Sequence, residues 1–164
     1  MKSRRRSKKK IRYISFFTHS IMLLIGFTFG IYLLPIITAP EIPTKEEFQK
    51  AIDNAEYETF FVKDLSGSNL IYWGKGQLSL SKNTIAFQGK ISPGATYKLY
   101  LTKKFIQTKN EFLKIKDQSL PVGYVRSFNG FIIRTDQDLD LASYNSVVIW
   151  SELFSSFITS GKYR

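Results

Sequence analysis

The sequence contains no cysteine, and this absence removes several kinds of chemistry at once. A chain without a thiol forms no disulfide, has no thiolate nucleophile, and holds neither a zinc–thiolate site nor an iron–sulfur cluster. The other soft metal ligands are almost as scarce, because the one histidine is His19 and the two methionines are Met1 and Met22. Residues 40–164 therefore lack the side chains that usually bind haem iron or copper, and we expect no cofactor and no metal there.

Acidic residues are absent from the first 40 positions, and the basic residues are unevenly placed. The formal net charge is +11, and eight of the 24 basic residues lie within the first twelve positions. Removing these eight leaves 16 basic residues against 13 acidic ones, so the rest of the chain is nearly balanced at +3. The basic cluster therefore needs an explanation of its own, and the following segment supplies one.

Charge is missing altogether from Ile14 to Ala39. At about 1.5 Å per residue, a helix of this length crosses a hydrocarbon core of roughly 30 Å. We predict a basic cytoplasmic tail over residues 1–13 and an uncleaved, membrane-spanning signal anchor over residues 14–39. The positive-inside rule then places the N-terminus in the cytoplasm and the C-terminal part in the periplasm or outside the cell, which localises the chain to the inner (plasma) membrane. Because the concentrated positive charge stays on the cytoplasmic side, no nucleic-acid binding is expected of the C-terminal part.

A cleaved secretory signal is the alternative interpretation of the apolar segment. The apolar segment of this chain is longer than the apolar region of such signals, which has about 7–15 residues. A cut after Ala39 would also place Ile37 and Pro40 beside the cleavage site. Within the span, Gly26 and Gly30 form a small-xxx-small pair that would let two helices approach closely and form a homodimer. Such pairs are also common by chance, so the dimer is a hypothesis.

A folded domain is predicted over residues 45–164, after a stiff linker at 40–44 that contains Pro40 and Pro43. Thr44 followed by Glu47 matches a capping box, and apolar residues recur at helical spacing from Phe48 onward. The sequence therefore predicts a helix over about residues 45–55, with an apolar stripe that packs on a sheet.

From Glu58 onward, short β-branched and aromatic runs alternate with turn residues, a pattern typical of an antiparallel β domain. One of these runs, 70–73, is predicted as a strand before a glycine turn at 74–76. The segment 146–152 contains four consecutive apolar residues, which predicts a central strand covered on both faces. The more polar segment 102–120 is predicted as a long connection anchored by Phe105, Phe112, Leu113 and Ile115.

Ser151 and Glu152 follow the tryptophan of this predicted central strand. A nucleophilic serine needs a base, and the C-terminal part has no histidine, so a capping or hydrogen-bonding role is favoured for Ser151. Glu152 is expected to be solvated or paired with a lysine or arginine, since no second carboxylate lies close in sequence. We therefore expect that the chain is not an enzyme.

Three further patterns have both a functional and a structural interpretation. Aspartates 136, 138 and 140 begin like a calcium loop, but Leu141 and Val147 occupy its glycine and glutamate positions, which favours turns and helix capping. The aromatic side chains could line a groove, although strand aromatics are more often core; they are Tyr72, Trp73, Tyr97, Tyr100 and Trp150. Lysines 103, 104 and 109 around Phe105 are favoured as a solvated loop, with contact to acidic lipids as the alternative.

The order of several motifs resembles a known family. The motifs are Lys63-Asp64-Leu65-Ser66-Gly67-Ser68, Tyr72-Trp73-Gly74, Phe87 with Gly89, Pro93-Gly94, Tyr97-Lys98-Leu99-Tyr100-Leu101, Val122-Gly123, Ser146-Val147-Val148-Ile149-Trp150 and Lys162-Tyr163-Arg164. Over about residues 45–164 they are similar to the electron-transfer DM-thirteen domain family, in its bacterial, membrane-anchored form. The resemblance implies a β-sandwich-like domain outside the cytoplasm that works in redox or cytochrome-linked systems through a cysteine directly after the Val-Val-x-Trp segment.

In this sequence the position of that cysteine is occupied by Ser151, and a hydroxyl has no thiolate, disulfide or sulfenic state. The positions that the resemblance marks as a signature are Tyr72, Trp73, Trp150, Ser151 and Glu152. Tyr72 stands where histidine is frequent in the family, and Ala95 stands where a second proline is more common. The sequence therefore favours a binding or accessory module for an unknown protein or small-molecule partner, with electron transfer as the alternative and an extracytoplasmic hydrolase as a third hypothesis.

Overall fold

The computed structural model describes the backbone of residues 2–164 and the side chains of residues 9–31 and 33–164. The chain forms two compact units, one ending at Leu34 and one running from Pro35 to Arg164, and each is described separately. The first unit lies within a long helix, α1 (Lys2–Ile37). Its part Lys9–Ile37 is long and apolar enough to cross a membrane, by length and composition. The side chains of residues 2–8, in the predicted basic tail, lie outside the described residues.

Gly26 and Gly30 both lie in α1. No described atom beyond the helix's own neighbouring backbone lies within 4 Å of a Cβ built at either glycine. Close approach of a second helix at this face stays a prediction.

The second unit begins with the predicted helix, α2 (Lys45–Asp53). The capping box is present in both directions: the Glu47 amide donates to the Thr44 hydroxyl at 3.3 Å, and the Thr44 amide donates to the Glu47 carboxylate at 3.0 Å. Phe48 is buried, so the apolar stripe packs inward as predicted. The helix ends two residues earlier than the apolar spacing suggests, where the Asn54 side-chain amide donates to the Lys50 carbonyl.

Eight antiparallel strands form two four-stranded sheets, which confirms the prediction of a mainly β, sandwich-like fold. In spatial order, the first sheet consists of β1 (Tyr57–Phe61), β2 (Gly74–Leu80), β3 (Thr84–Ile91) and β6 (Phe131–Arg134). The second sheet, in spatial order, consists of β5 (Leu120–Val125), β4 (Tyr97–Thr102), β7 (Ser146–Ser151) and β8 (Ser156–Lys162). An apolar core lies between the sheets, with Leu78, Phe87, Leu99 and Ile149 completely buried in it.

The predicted strand at 70–73 is wrong, because this segment is a bend and the strand begins at Gly74. The Asn69 side-chain oxygen accepts the backbone amides of Ile71 and Tyr72, at 2.8 and 2.9 Å. A side chain that binds the backbone in this way competes with a strand ladder. The glycines assigned to a turn lie inside β2 instead, and a Cβ built at Gly76 would be only 2.6 Å from the Cα of Gly89 on β3.

The strand β7 is buried along all six residues and lies between β4 and β8, so the predicted inner strand with two covered faces is confirmed. Val147 and Ile149 point into the core between the sheets. Val148 and Trp150 belong to a second apolar cluster, together with Phe112 and Phe157.

The second cluster is covered by a segment that the sequence predicted only as a connection. Residues 109–115 form a helix, α3 (Lys109–Ile115), which starts with a second capping box formed by Thr108 and Glu111 and continues into a 3₁₀ turn at Lys116–Gln118. Of the predicted anchors, Phe112 is fully buried, whereas Phe105 and Leu113 are 37% and 48% exposed. Residues 103–119 therefore form a packed cover on the second sheet and not an irregular loop. We call these residues the lid.

Candidate functional site

Three aromatic rings meet beneath α3, and we call them the outer aromatic cluster: Tyr100, Phe112 and Trp150. Tyr100 and Trp150 come from the neighbouring strands β4 and β7, while α3 places Phe112 between them. The ring centroids of Tyr100 and Phe112 are 5.2 Å apart in an edge-on arrangement, and those of Phe112 and Trp150 are 4.9 Å apart. Both spacings lie within the range at which aromatic pairs add stability beyond the area they bury.

The carboxylate of Glu152 lies beside this cluster with two donors, and the three residues together form the Glu152 network. The Tyr100 hydroxyl donates to one carboxylate oxygen. The Lys116 ammonium donates to the other at 2.6 Å, and it also lies 5.5 Å from the centroid of the Trp150 ring. The sequence-based expectation of a lysine or arginine partner for Glu152 is confirmed.

The protonation states in the Glu152 network follow from these contacts. Burial acts to raise the pKa of Glu152, but the hydrogen bonds from Lys116 and Tyr100 outweigh it and hold the pKa below its usual value. Burial, followed by the hydrogen bond to the Glu152 carboxylate, raises the pKa of the Tyr100 phenol well above its usual value. At neutral pH the network therefore contains an ionised Glu152 carboxylate that accepts a hydrogen bond from the neutral Tyr100 phenol.

Ser151 is completely buried at the end of β7. Its hydroxyl donates to the Ala95 carbonyl at 3.0 Å and accepts the Phe154 amide at 3.3 Å. These bonds join the segment before β4 to the turn at residues 152–155 between β7 and β8. Ser151 therefore has the hydrogen-bonding role that the sequence favoured.

Tyr72 and Trp73 are positioned by a different set of contacts. The Trp73 amide donates to the Ser92 hydroxyl at 3.2 Å, and the Lys63 ammonium lies 3.7 Å from the centroid of the Trp73 ring. Tyr72 is half-buried and packs against the core between the sheets. The structure thus places Trp150, Ser151 and Glu152 together at the end of β7, while the other two signature positions lie in the bend before β2.

The sequence predicted Phe112 as an anchor, but it gave neither the helix that carries Phe112 over Trp150 nor Lys116, which pairs with Glu152. A signal for α3 was present, because Thr108 and Glu111 repeat the spacing of Thr44 and Glu47. Lys116 had no such signal, since it lies 36 positions from Glu152 in sequence.

Of the three aspartates that begin like a calcium loop, Asp140 has a local structural role. Asp140 accepts the Ser143 amide at 3.2 Å and begins a 3₁₀ turn at Leu141–Ser143, which confirms the capping interpretation. The hydroxyl of Ser143 is the main cause of the lowered pKa of Asp140. Within the described part of the chain, no group of three or more His, Cys, Asp or Glu side chains is arranged to hold a metal ion.

Replacing Glu152 with glutamine is expected to lower the free energy of unfolding by about 1–2 kcal/mol at pH 7, because a charge-assisted pair becomes a neutral one. The folded-state pKa of Glu152 is lowered, so its stabilising effect is present above the unfolded pKa of about 4.3 and is lost as the pH falls through the folded pKa. The difference between wild type and variant should therefore shrink below about pH 4.

Urea unfolding followed by tryptophan fluorescence between neutral and acidic pH measures this difference. Glu58→Gln, which changes an exposed carboxylate on β1, is the matched control and should have little effect. A destabilisation by Glu152→Gln that is the same at every pH would contradict the assignment.

These features define a class: a small antiparallel β-sandwich that follows a helix long enough to span a membrane, with a buried serine and a lysine-paired glutamate at the end of an inner strand. The family model described as Electron transfer DM13 matches residues 64–163, which is more than half of the chain, and the chain belongs to this family. Comparisons with curated proteins and with solved structures gave no match. The matched region begins after α2 and β1, so β1, an edge strand of the first sheet, lies outside the family model.

Proposed function

We propose that the chain is a single-pass membrane protein that displays its DM13 domain outside the cytoplasm as a non-enzymatic binding or accessory module. The observation that carries this proposal is the state of Ser151. Its hydroxyl is buried and joins two segments of the domain. At the position where the resemblance implies a reactive thiol, this chain has a structural hydrogen bond.

The side chains available in the domain as metal or redox ligands support a module without thiol chemistry. The chain has no cysteine, and beyond residue 40 it has no histidine and no methionine. The end of β7 is nevertheless held by specific contacts. Trp150 packs under Phe112, and Glu152 is paired with Lys116. Retaining this scaffold without its thiol fits a domain that is kept for binding.

Membrane anchoring is supported by the apolar part of α1 and by the basic residues at the N-terminal end of this helix. The stretch Lys9–Ile37 is long and apolar enough to span a bilayer, and eight basic residues lie in the first twelve positions. Lysine and arginine are retained on the cytoplasmic side of such helices. The proposed topology therefore has a cytoplasmic N-terminus and an extracytoplasmic domain at the inner (plasma) membrane.

Because the natural chain has no cysteine, single-cysteine variants report this topology cleanly. Leu70→Cys places a thiol at a position that is 98% exposed, and Ser3→Cys places one in the N-terminal tail. In spheroplasts, a membrane-impermeant maleimide is expected to label Leu70→Cys directly and Ser3→Cys only after the membrane is permeabilised. The opposite labelling pattern would overturn the orientation, and release of the chain by a carbonate wash would overturn the anchoring.

Electron transfer is the second candidate function, and the family description favours it. In this chain it would have to use the aromatic side chains or a redox group carried by a partner, since the thiol is missing. A reversible redox couple in voltammetry of the purified full-length protein would favour this candidate over the binding module. Hydrolysis at Ser151 is not proposed, because a substrate would have to reach a hydroxyl with 0% exposure.

A further inference from the structure

A cleft of about 580 Å³ lies on the lid of the second sheet, between the end of β4 and α3 with its following turn. Ile106, which is 4% exposed, and the half-buried Ile115 contribute apolar surface to it. Lys103, Lys104 and Lys114 also line it. We call it the lysine-rimmed cleft, and its volume lies in the range of small-molecule sites.

The positive charge of this cleft is only partly neutralised within the domain. The direct ion pairs among the described residues are Lys116–Glu152 and Arg134–Glu47, so none of the three rim lysines forms a direct ion pair there, and Lys114 interacts with the Glu111 carboxylate only at longer range. The one carboxylate that lines the cleft, Glu111, accepts the backbone amides of Gln107 and Thr108, at 2.7 and 3.1 Å. Glu111 keeps its negative charge while it caps α3, and three lysines against this one carboxylate leave the rim with a net positive charge.

We propose that the lysine-rimmed cleft binds the headgroup of an anionic phospholipid, with its phosphate on the rim lysines and its glycerol and upper acyl carbons on Ile106 and Ile115. Charge complementarity selects an anion, and the apolar lining selects an amphiphile over a small hydrophilic ion. This inference rests on the proposed membrane anchoring. Seven residues, 38–44, separate α1 from α2, and so short a tether keeps the lipid headgroups at a high effective concentration.

The set of lysines that lines this cleft differs from the set that the sequence alone suggested. Lys109 was grouped with Lys103 and Lys104 around Phe105, but the structure replaces it with Lys114 at the cleft. Lys114 reaches the cleft because α3 is a helix. The site therefore depends on the capping box that starts α3.

The test uses the full chain in lipid nanodiscs, with a fluorescent dye attached to Gln118→Cys, an exposed position in the cleft lining. Phosphatidylglycerol is titrated into phosphatidylcholine discs, and the dye emission is expected to shift with the anionic fraction and to return at high salt. In the triple variant Lys103→Glu, Lys104→Glu and Lys114→Glu, the apparent affinity for phosphatidylglycerol should fall about tenfold or more.

A second triple variant, Lys75→Glu, Lys82→Glu and Lys90→Glu, makes the same change of charge at exposed positions of the first sheet and its hairpin, and it should respond like wild type. The unfolding midpoints of both variants check that they are folded, and the salt dependence of the wild-type chain tests the proposal without any variant.

The outcomes separate the two levels of the argument. If the chain does not insert into the discs, both the proposed membrane anchoring and the proposed lipid binding are overturned. An inserted chain whose dye ignores phosphatidylglycerol, or responds equally in both triple variants, overturns lipid binding alone. An equal response to glycerol phosphate or to an acidic peptide in phosphatidylcholine discs would assign the cleft to a soluble anion and also overturn the proposal.

Discussion

Phe112→Ala is expected to lower the free energy of unfolding by about 3–5 kcal/mol, the largest effect of any single truncation in the lid. Phe112 is completely buried, and its ring contacts both Tyr100 and Trp150. Removing it leaves a cavity over the second sheet and loses two aromatic pairs at once. The Glu152 network would also become more exposed to water, which weakens its electrostatic interactions.

Urea unfolding of the full-length protein in detergent, followed by far-ultraviolet circular dichroism and by the fluorescence of its two tryptophans, measures this loss. Phe105→Ala is the matched control, because the same residue type lies in the same segment but is 37% exposed, and it should cost less than about 1 kcal/mol. Equal costs for the two variants would show that residues 103–119 do not form a packed lid.

Ser151→Cys is expected to produce a thiol that does not react in the folded protein. The position is buried, and a buried structural cysteine is inert because its thiolate is not solvated. Reaction with an aromatic disulfide reagent should require opening of the strand end, so it should be roughly 10³-fold slower in the folded than in the urea-unfolded protein. The stability should also fall by about 1–2 kcal/mol, since sulfur is a poorer partner for the Ala95 carbonyl and the Phe154 amide.

Leu70→Cys is the control for this experiment, because a thiol at a 98% exposed position should react at the rate of a free cysteine. Ser151→Ala separates the loss of the hydrogen bonds from the effect of the sulfur. Rapid reaction of the cysteine at position 151 in the folded protein would mean that the end of β7 is accessible to solvent. That result would favour the hypothesis of electron transfer through a thiol in this family.

The two results together bear on how this DM13 domain is built around Ser151, the position where the resemblance implies a cysteine. The strand end that the resemblance marks as reactive is covered by Phe112 and neutralised by Lys116, and its own hydroxyl joins two neighbouring segments. Function is then expected at the surface of the lid, where three lysines and one carboxylate line a cleft, and not beneath it.

Local patterns in the sequence determined several features of this protein correctly. An uncharged stretch of 26 residues, Ile14 to Ala39, identified a helix of membrane-spanning length, because apolar length needs no tertiary contact to be recognised. The Thr44–Glu47 capping box placed the start of α2, because both of its hydrogen bonds form within one turn. The four apolar residues of 147–150 identified an inner strand, because a short, β-branched run without alternation is typical of a strand covered on both faces.

The structure decided the rest, in one place through a local side-chain contact that competes with strand pairing and elsewhere through contacts between residues that are distant in sequence. A run of strand-forming residues at 70–73 became a bend once the Asn69 side chain bound its amides, and Leu70 had no sheet to cover it. Residues 103–119 became a lid because Phe112 found the rings of Tyr100 and Trp150 on two other strands. Ser151 and Glu152 could be named from the sequence, but whether they were open or closed depended on Ala95 and Lys116, 56 and 36 positions away, since long-range hydrogen bonds and burial leave no local trace in the chain.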